Sequence, residues 1–317
     1  NLIRNESVKL SINQKRKVKI VIIYPGNQIS DYWRRSKVSF EKRLDELNIS
    51  YELKDYFSKP GEIKTQLKHL LKAVKADTDY LVFSLDALKH AEFIEQIISR
   101  KKPKLILQNI TTPLKKWRNR QPFQYVGFDH VIGSRILADY YISKIGAKGN
   151  YAVLYGTKGY VSHMRGKEFI NYISQKTNLK LVDSYYTDVN KEKAAKATIQ
   201  LIKEHKNIKF IYSTTTDIAL SVAEVLAKNK LTGEILINGW GGGSNELKAI
   251  EKGLLDITVM RINDDNGIAM AEAVKLDMEG KTHKVPTIFS GDFAVVKKGI
   301  KKEKLQLLKE KAFRYSN

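Results

Sequence analysis

The chain reads as an α/β protein of two lobes, each built on a parallel sheet covered by helices. Three observations predict this. Short strand-forming runs alternate with helical patterns from Val18 onward, the order that βαβ units require. A second series of the same kind begins at Tyr151, after the first has reached Phe128. Polar side chains gather where the strands end, and in open parallel sheets ligands bind beyond the carboxyl ends of the strands.

Residues 1–17 are polar and basic and read as an arm rather than a packed element. Val18 to Ile23 is the first strand, followed by the loop Tyr24-Pro-Gly-Asn-Gln-Ile-Ser-Asp-Tyr-Trp33. Trp33, Phe40, Leu44 and Leu47 then form one stripe of a helix that Ser30 or Asp31 would cap. A short strand is expected at Tyr51 to Leu53 and a helix at Glu62 to Val74. Tyr80 to Ser84 is a buried strand ending in a hydroxyl, with a helix at Ala91 to Ser99 behind it. Lys104 to Asn109 and Gln124 to Phe128 are further strands, and Asp129 opens a helix running through Ile145. The Gln28 loop, Ser84 and Asn109 therefore lie side by side at one sheet edge.

The second series repeats this plan. Tyr151 to Tyr155 is a strand, and the helix after it starts near His163 with Arg165 in its first turn. A strand near Leu181 to Tyr185, a helix from Lys191 to Glu204, and strands at Phe210 to Tyr212, Ile235 to Asn238 and Ile257 to Met260 follow. A helix at Glu246 to Lys252 precedes the last of these, and another at Asn266 to Met278 comes after it. These strand ends carry Arg165, Thr215, Thr216, Asp217, Trp240 and Arg261. The late run from Val285 to Phe293 suggests that the chain crosses between the lobes more than once. Two such sheets facing each other enclose a cleft, the usual place for a small-molecule site.

Composition narrows the function. The chain has no cysteine, which excludes thiol chemistry, disulfides and cysteine zinc sites. Starting at Asn1 with neither a start methionine nor a signal segment, it reads as a mature or trimmed form. The formal charge of +22 is spread over separate helices, dense only from Lys297 to Lys311, and no nucleic-acid motif accompanies it. Solvated lysine faces are the expectation. The six histidines are dispersed, mostly in lysine-rich helical patterns, and read as surface residues rather than metal ligands. Gly239 to Ser244 is glycine-rich but does not spell a dinucleotide or phosphate loop, and Trp240 would obstruct a pyrophosphate. Its glycines read as a tight turn about Trp240. No nucleophile elbow or zinc-protease helix occurs, so no enzyme is indicated. Asp217, among threonines and two arginines, suits holding hydroxyls better than moving protons. Arg165 and Arg261, each a rigid donor fork, join Trp33 and Trp240 in describing a pocket for a small, oxygen-rich, anionic ring.

The strings Tyr24-Pro-Gly-Asn-Gln-Ile-Ser-Asp-Tyr-Trp33, Leu105-Ile-Leu-Gln-Asn-Ile-Thr-Thr-Pro113, Tyr125-Val-Gly-Phe-Asp-His130, Ile237-Asn-Gly-Trp-Gly-Gly-Gly-Ser244, Asp256-Ile-Thr-Val-Met-Arg261 and Ala312-Phe-Arg-Tyr-Ser316 carry a resemblance. From Val18 to the C-terminus the chain resembles the LuxP-type autoinducer-2 receptors among the type I periplasmic binding proteins. The resemblance implies two Rossmann-like (flavodoxin-like) lobes joined by a three-segment hinge: 18–127 with 263–287, and 128–262 with 288–317. It implies a periplasmic address and closure over a furanosyl borate diester, with borate part of the ligand and no cofactor. Gln28, Ser30, Trp33, Ser84 and Asn109 match the contacts of one lobe. Arg165, Thr215, Thr216, Asp217, Trp240 and Arg261 match those of the other lobe and hinge. Ser84 replaces an expected threonine and Thr215 an expected serine, each keeping its hydroxyl. The implied partner is the periplasmic domain of a membrane-bound hybrid sensor histidine kinase. A monosaccharide-binding protein of an ABC importer, ribose- or galactose-like, shares this fold and is the alternative; a repressor core would need an N-terminal DNA-binding segment.

Overall fold

A computed structural model describes residues 2–85, 87, 90–100, 102–117 and 120–317. The first sheet is built from β1 (Val18–Tyr24), α1 (Tyr32–Glu46), β2 (Tyr51–Phe57), α2 (Ile63–Lys75), β3 (Tyr80–Ser84), α3 (His90–Ile98), β4 (Lys104–Gln108) and β5 (Gln124–Phe128) with their helices. The second follows as α4 (His130–Ile145), β6 (Lys148–Tyr155), α5 (Tyr160–Lys176), β7 (Asn178–Tyr186), α6 (Lys191–Glu204), β8 (Ile208–Ser213), α7 (Thr216–Lys228), β9 (Leu236–Gly241), α8 (Ser244–Glu251) and β10 (Ile257–Arg261). The chain then returns through α9 (Asp264–Met278) and β11 (Ile288–Gly291), and crosses back as β12 (Phe293–Lys297) and α10 (Lys302–Ala312).

The strand orders are β11-β5-β4-β3-β1-β2 and β12-β10-β9-β8-β6-β7, parallel except for β12 against β10. Central strands of such sheets are covered on both faces and must be apolar on both. In β1, Ile20 and Ile22 pack toward α1 and α9, while Val21 and Ile23 pack toward α2 and α3. In β6, Val153 joins the core under α4 and α5, and Ala152 and Leu154 the core under α6 and α7. The two-lobed parallel α/β fold is thus the one expected from the repeated βα pattern.

Three details differ from the sequence reading. β11 pairs with β5 in the first sheet, Ile288 opposite Tyr125, so the last crossing falls at Asp292 and not before Ile288. The cause is local: β11 has strand partners in one sheet and β12 in the other, and Asp292 alone separates them. At that point the second and third crossings touch, Ile262 N–H donating to Asp292 O at 2.9 Å. Residues 2–17 form no helix or strand but do pack: Leu10 N–H donates to Leu47 O at 2.8 Å, and Arg16 pairs with Asp79 at 2.6 Å. Finally, the chain end returns to α9, where Asp264 accepts from the Ser316 N–H and hydroxyl at 2.9 and 2.7 Å.

Candidate functional site

The carboxyl ends of both sets of strands face one cavity of ≈ 70 Å³, enough for roughly five to seven water-sized atoms or one small ring. From the first sheet, the loop after β1 brings Gln28, Ser30 and Trp33, while the ends of β3 and β4 bring Ser84 and Asn109. From the second come Arg165 of α5, Thr215 and Thr216 at the start of α7, Trp240 of β9 and Arg261 ending β10. Ten of the eleven residues expected at the site therefore line it.

Asp217 does not line it. Its carboxylate accepts from the backbone N–H groups of Ile29 at 2.8 Å and Ser30 at 3.3 Å, across the lobes. A carboxylate at the first turn of α7 lies opposite the loop after β1 once the lobes meet, and the loop's free N–H groups claim it. Asp31 likewise departs from its expected role. It stands at the N-cap position of α1 but makes no side-chain cap; it accepts from Ser244 N–H at 3.2 Å and from Arg35 at 2.7 Å. The Asp217–Ile29 and Asp31–Ser244 contacts join the lobes, so the structure is closed.

The aromatic walls are held by hydrogen bonds behind them. Trp240 donates its indole N–H to the Tyr212 hydroxyl at 2.9 Å, and its backbone N–H to Glu246 at 2.9 Å. The turn after it depends on glycine: Gly242 has φ +65°, and a Cβ there would sit 2.5 Å from Met260 Cα. Tyr32, which the sequence reading passed over beside Trp33, also lines the cavity. Its hydroxyl accepts from Gln108 and Asn266 at 3.1 and 2.7 Å, turning its face to the Arg261 guanidinium 4.2 Å away. Pro25, Pro60, Thr157, Val161, Ser162 and Val189 complete the lining, and no spacing in the sequence pointed to them.

The electrostatics are lopsided. No acidic side chain lines the cavity among the described residues, yet two arginines do, each 4% exposed or less. Arg165 stacks on Trp240 at 3.7 Å and donates to Thr214 O at 2.7 Å and to the His130 ring at 3.2 Å. Among the described residues neither arginine has a salt-bridge partner, and Arg165 Nη2, Arg261 Nε and Asn109 Oδ1 are buried without a hydrogen bond. Burial first, and then the Arg261 charge, depress the Arg165 guanidinium well below its usual value; burial likewise lowers Arg261. A guanidinium keeps its proton in proteins, so that unfavourable energy is what a bound anion or ring of hydroxyls would relieve. Asn109 has φ +67°, a strained setting for a residue other than glycine and one common at binding sites.

The histidines divide otherwise than expected. His90 and His130 are fully buried, and His130 lies behind the cavity against Trp240. It begins α4 directly after a crossing, in a stretch without lysines, so the lysine-rich pattern around other histidines does not extend to it.

Two lobes, three crossings and a polar interlobe cavity define a type I periplasmic binding protein. The chain belongs to that family, since residues 20–282 match the model described as periplasmic binding protein domain. Among curated proteins it is similar to the D-allose-binding periplasmic protein of Escherichia coli (strain K12), 24% identical over 273 residues, covering 84% of this chain and 86% of the relative. Among solved structures it is similar to an ABC transporter solute binding protein from Agrobacterium vitis with bound D-fucose, at TM-score 0.80 and 17% identity, covering 91% and 98% of the two chains. A chain of the XylFII-LytSN complex superimposes at TM-score 0.77 and 20% identity, covering 89% and 98%. The chain is accordingly a solute-binding protein and not an enzyme. Among the described residues no helix is long and apolar enough to cross a membrane.

Proposed function

We propose that this protein is an extracytoplasmic receptor that closes its two lobes over one small, oxygen-rich ring. The observation that carries the reading is the set of three buried polar atoms without partners, Asn109 Oδ1, Arg165 Nη2 and Arg261 Nε, on residues lining one small cavity. Buried polar groups are ordinarily satisfied, so a ligand that completes them stabilises the closed form. Trp33 and Trp240 supply flat apolar faces, and Ser30, Ser84, Thr215 and Thr216 supply hydroxyls. The relatives favour a monosaccharide as the ligand and an ABC importer as the destination, because a D-allose-binding periplasmic protein is similar in sequence and an ABC transporter solute binding protein with bound D-fucose is similar in fold.

A second reading rests on charge. Two guanidinium groups with no carboxylate lining the cavity among the described residues favour an anionic ring over a neutral sugar. The furanosyl borate diester of autoinducer-2, a sugar-like ring bearing one negative charge, fits that demand. On this reading closure is reported to the periplasmic domain of a sensor kinase, and the protein-bound state of the related XylFII chain supports such docking. Isothermal titration with D-allose, D-fucose, and autoinducer-2 with and without borate separates the readings. Tightest binding to a neutral sugar establishes the importer reading, and borate-dependent binding of autoinducer-2 the signalling one. No binding of any of them contradicts both.

A further inference from the structure

His130 touches both halves of the cleft and fills no role in the proposed contacts. Its Nε2 lies 2.9 Å from the backbone carbonyl of Asn109, at the end of β4. Its Nδ1 lies 3.2 Å from Arg165 Nε, on α5. A carbonyl oxygen only accepts and a guanidinium N–H only donates, so the ring must carry its proton on Nε2 and present a lone pair at Nδ1. We propose that His130 is a positioning residue for the ligand site: a neutral, Nε2-protonated imidazole that ties Asn109 to Arg165 and must give up any second proton before the cleft closes on ligand.

Among the described residues, no group around the ring is free to hold it charged. The charged groups bearing on it are Arg165 and Arg261, both cationic. Asp129 spends its carboxylate on the Val131 and Ile132 N–H groups at 2.8 and 3.2 Å, capping α4. Glu246 of α8 spends its own on the Trp240 and Gly242 N–H groups and the Thr258 hydroxyl. From β9, Trp240 presents a ring 5.6 Å away, and the Tyr212 hydroxyl of β8 is engaged by that indole. A second proton on His130 would point an N–H at Arg165 Nε and set two cations together in a fully buried site. Burial and Arg165 push its pKa down accordingly. Arg165 would then swing away, and its Nη2 would no longer be aimed at ligand.

The inference rests on the cleft being the ligand site, and the test separates the two. The dissociation constant of wild-type protein for whichever of D-allose, D-fucose or borate-complexed autoinducer-2 it binds is measured from pH 5 to 8.5. It is expected to be flat above pH 7 and to rise toward tenfold per unit below about pH 6, near the free imidazole pKa. Heats at pH 6 in buffers of different ionisation enthalpy should report proton release. H130Q and H130N each retain a donor and an acceptor and should bind at pH 8 while losing that acid-side slope. H130L, with neither group, should weaken binding about tenfold or more. A wild-type affinity independent of pH, or an unchanged slope in both amide variants, overturns the proposal. If no probe binds wild-type protein, the receptor reading fails while ¹⁵N NMR of the ligand-free protein at pH 8 still decides the tautomer: an Nε2–H ring supports the assignment and an Nδ1–H ring refutes it.

Discussion

Arg261 is a buried cation set against aromatic faces, Tyr32 at 4.2 Å, Phe128 at 5.7 Å and Trp240 at 5.8 Å. Such contacts, with the more distant charges of Glu246 and Asp31, offset only part of a desolvation cost of several kcal/mol, and burial still lowers the Arg261 pKa. Sites built to bind commonly hold this kind of local instability. Arg261→Met keeps most of the volume and removes the charge. It is expected to raise the melting temperature of the ligand-free protein by roughly 2–4 °C per kcal/mol recovered, as read by calorimetry. A lowered melting temperature would mean that Arg261 has a partner in the free protein. At this scale the sequence was most legible where a side chain sits at a strand end, because the parallel sheet dictates where that end points. It was least legible for Asp217 and Tyr32. Whether Asp217 turns into the cavity or across to Ile29 depends on how two distant segments meet. Tyr32 aims by the hydrogen bonds that Gln108 and Asn266 donate to it, from segments far along the chain.

Among the elements, the pairing of α1 with α9 sets the orientation of the β1 loop, since Tyr32 and Trp33 open α1. The helices cross closely at Gly267, where a Cβ would lie 2.5 Å from Phe40 N and 2.6 Å from Ser36 O. Backbone atoms cannot yield as a side chain can. Gly267→Ala should therefore cost about 1–3 kcal/mol of stability in chemical denaturation, and an unchanged midpoint would show that the helices can part freely. The N-terminal arm is fixed by Asp79. Burial works against the Asp79 charge, but the side chains of Arg16 and Lys102 and the Lys19 N–H outweigh it and hold its pKa well below the carboxylate range. A depressed carboxyl pKa adds stability that is present above the ordinary value of about 4 and lost as the pH falls through the folded one. Asp79→Asn should thus lower the melting temperature at pH 7 and lower it progressively less as the pH falls from about 4 toward 2; an equal loss at pH 7 and pH 2 would contradict the charge argument. The buried strands were readable from their β-branched runs. The edge strands β2 and β7 extend further than the apolar pattern indicated, because half their residues face solvent and carry no hydrophobic signature. Helix α7 has Ile218, Val222, Val225 and Leu226 at helical spacing, a pattern that its threonine-rich, loop-like start obscures in the sequence.

For the molecule as a whole, the positive charge does not mark the cavity. Most lysines are exposed, on helices, strands and loops alike, several paired with single carboxylates at the surface, such as Lys191 with Glu224 and Lys193 with Asp188. Such pairs add little to stability. What distinguishes the closed form is a small set of contacts between the lobes, Asp217 with the Ile29 and Ser30 N–H groups and Asp31 and Arg35 with Ser244, around a cavity with unmet polar groups. Closure is then a population shift, driven by a ligand that contacts both lobes only when they meet. Two guanidinium groups compelled to neutralise one compact guest are the centre of this account. The most direct test is isothermal titration of the Arg165→Met and Arg261→Met variants with the ligand that wild-type protein binds. Each should raise the dissociation constant by roughly 30- to 5,000-fold, the equivalent of about 2–5 kcal/mol. Affinities equal to wild type in both variants would contradict it.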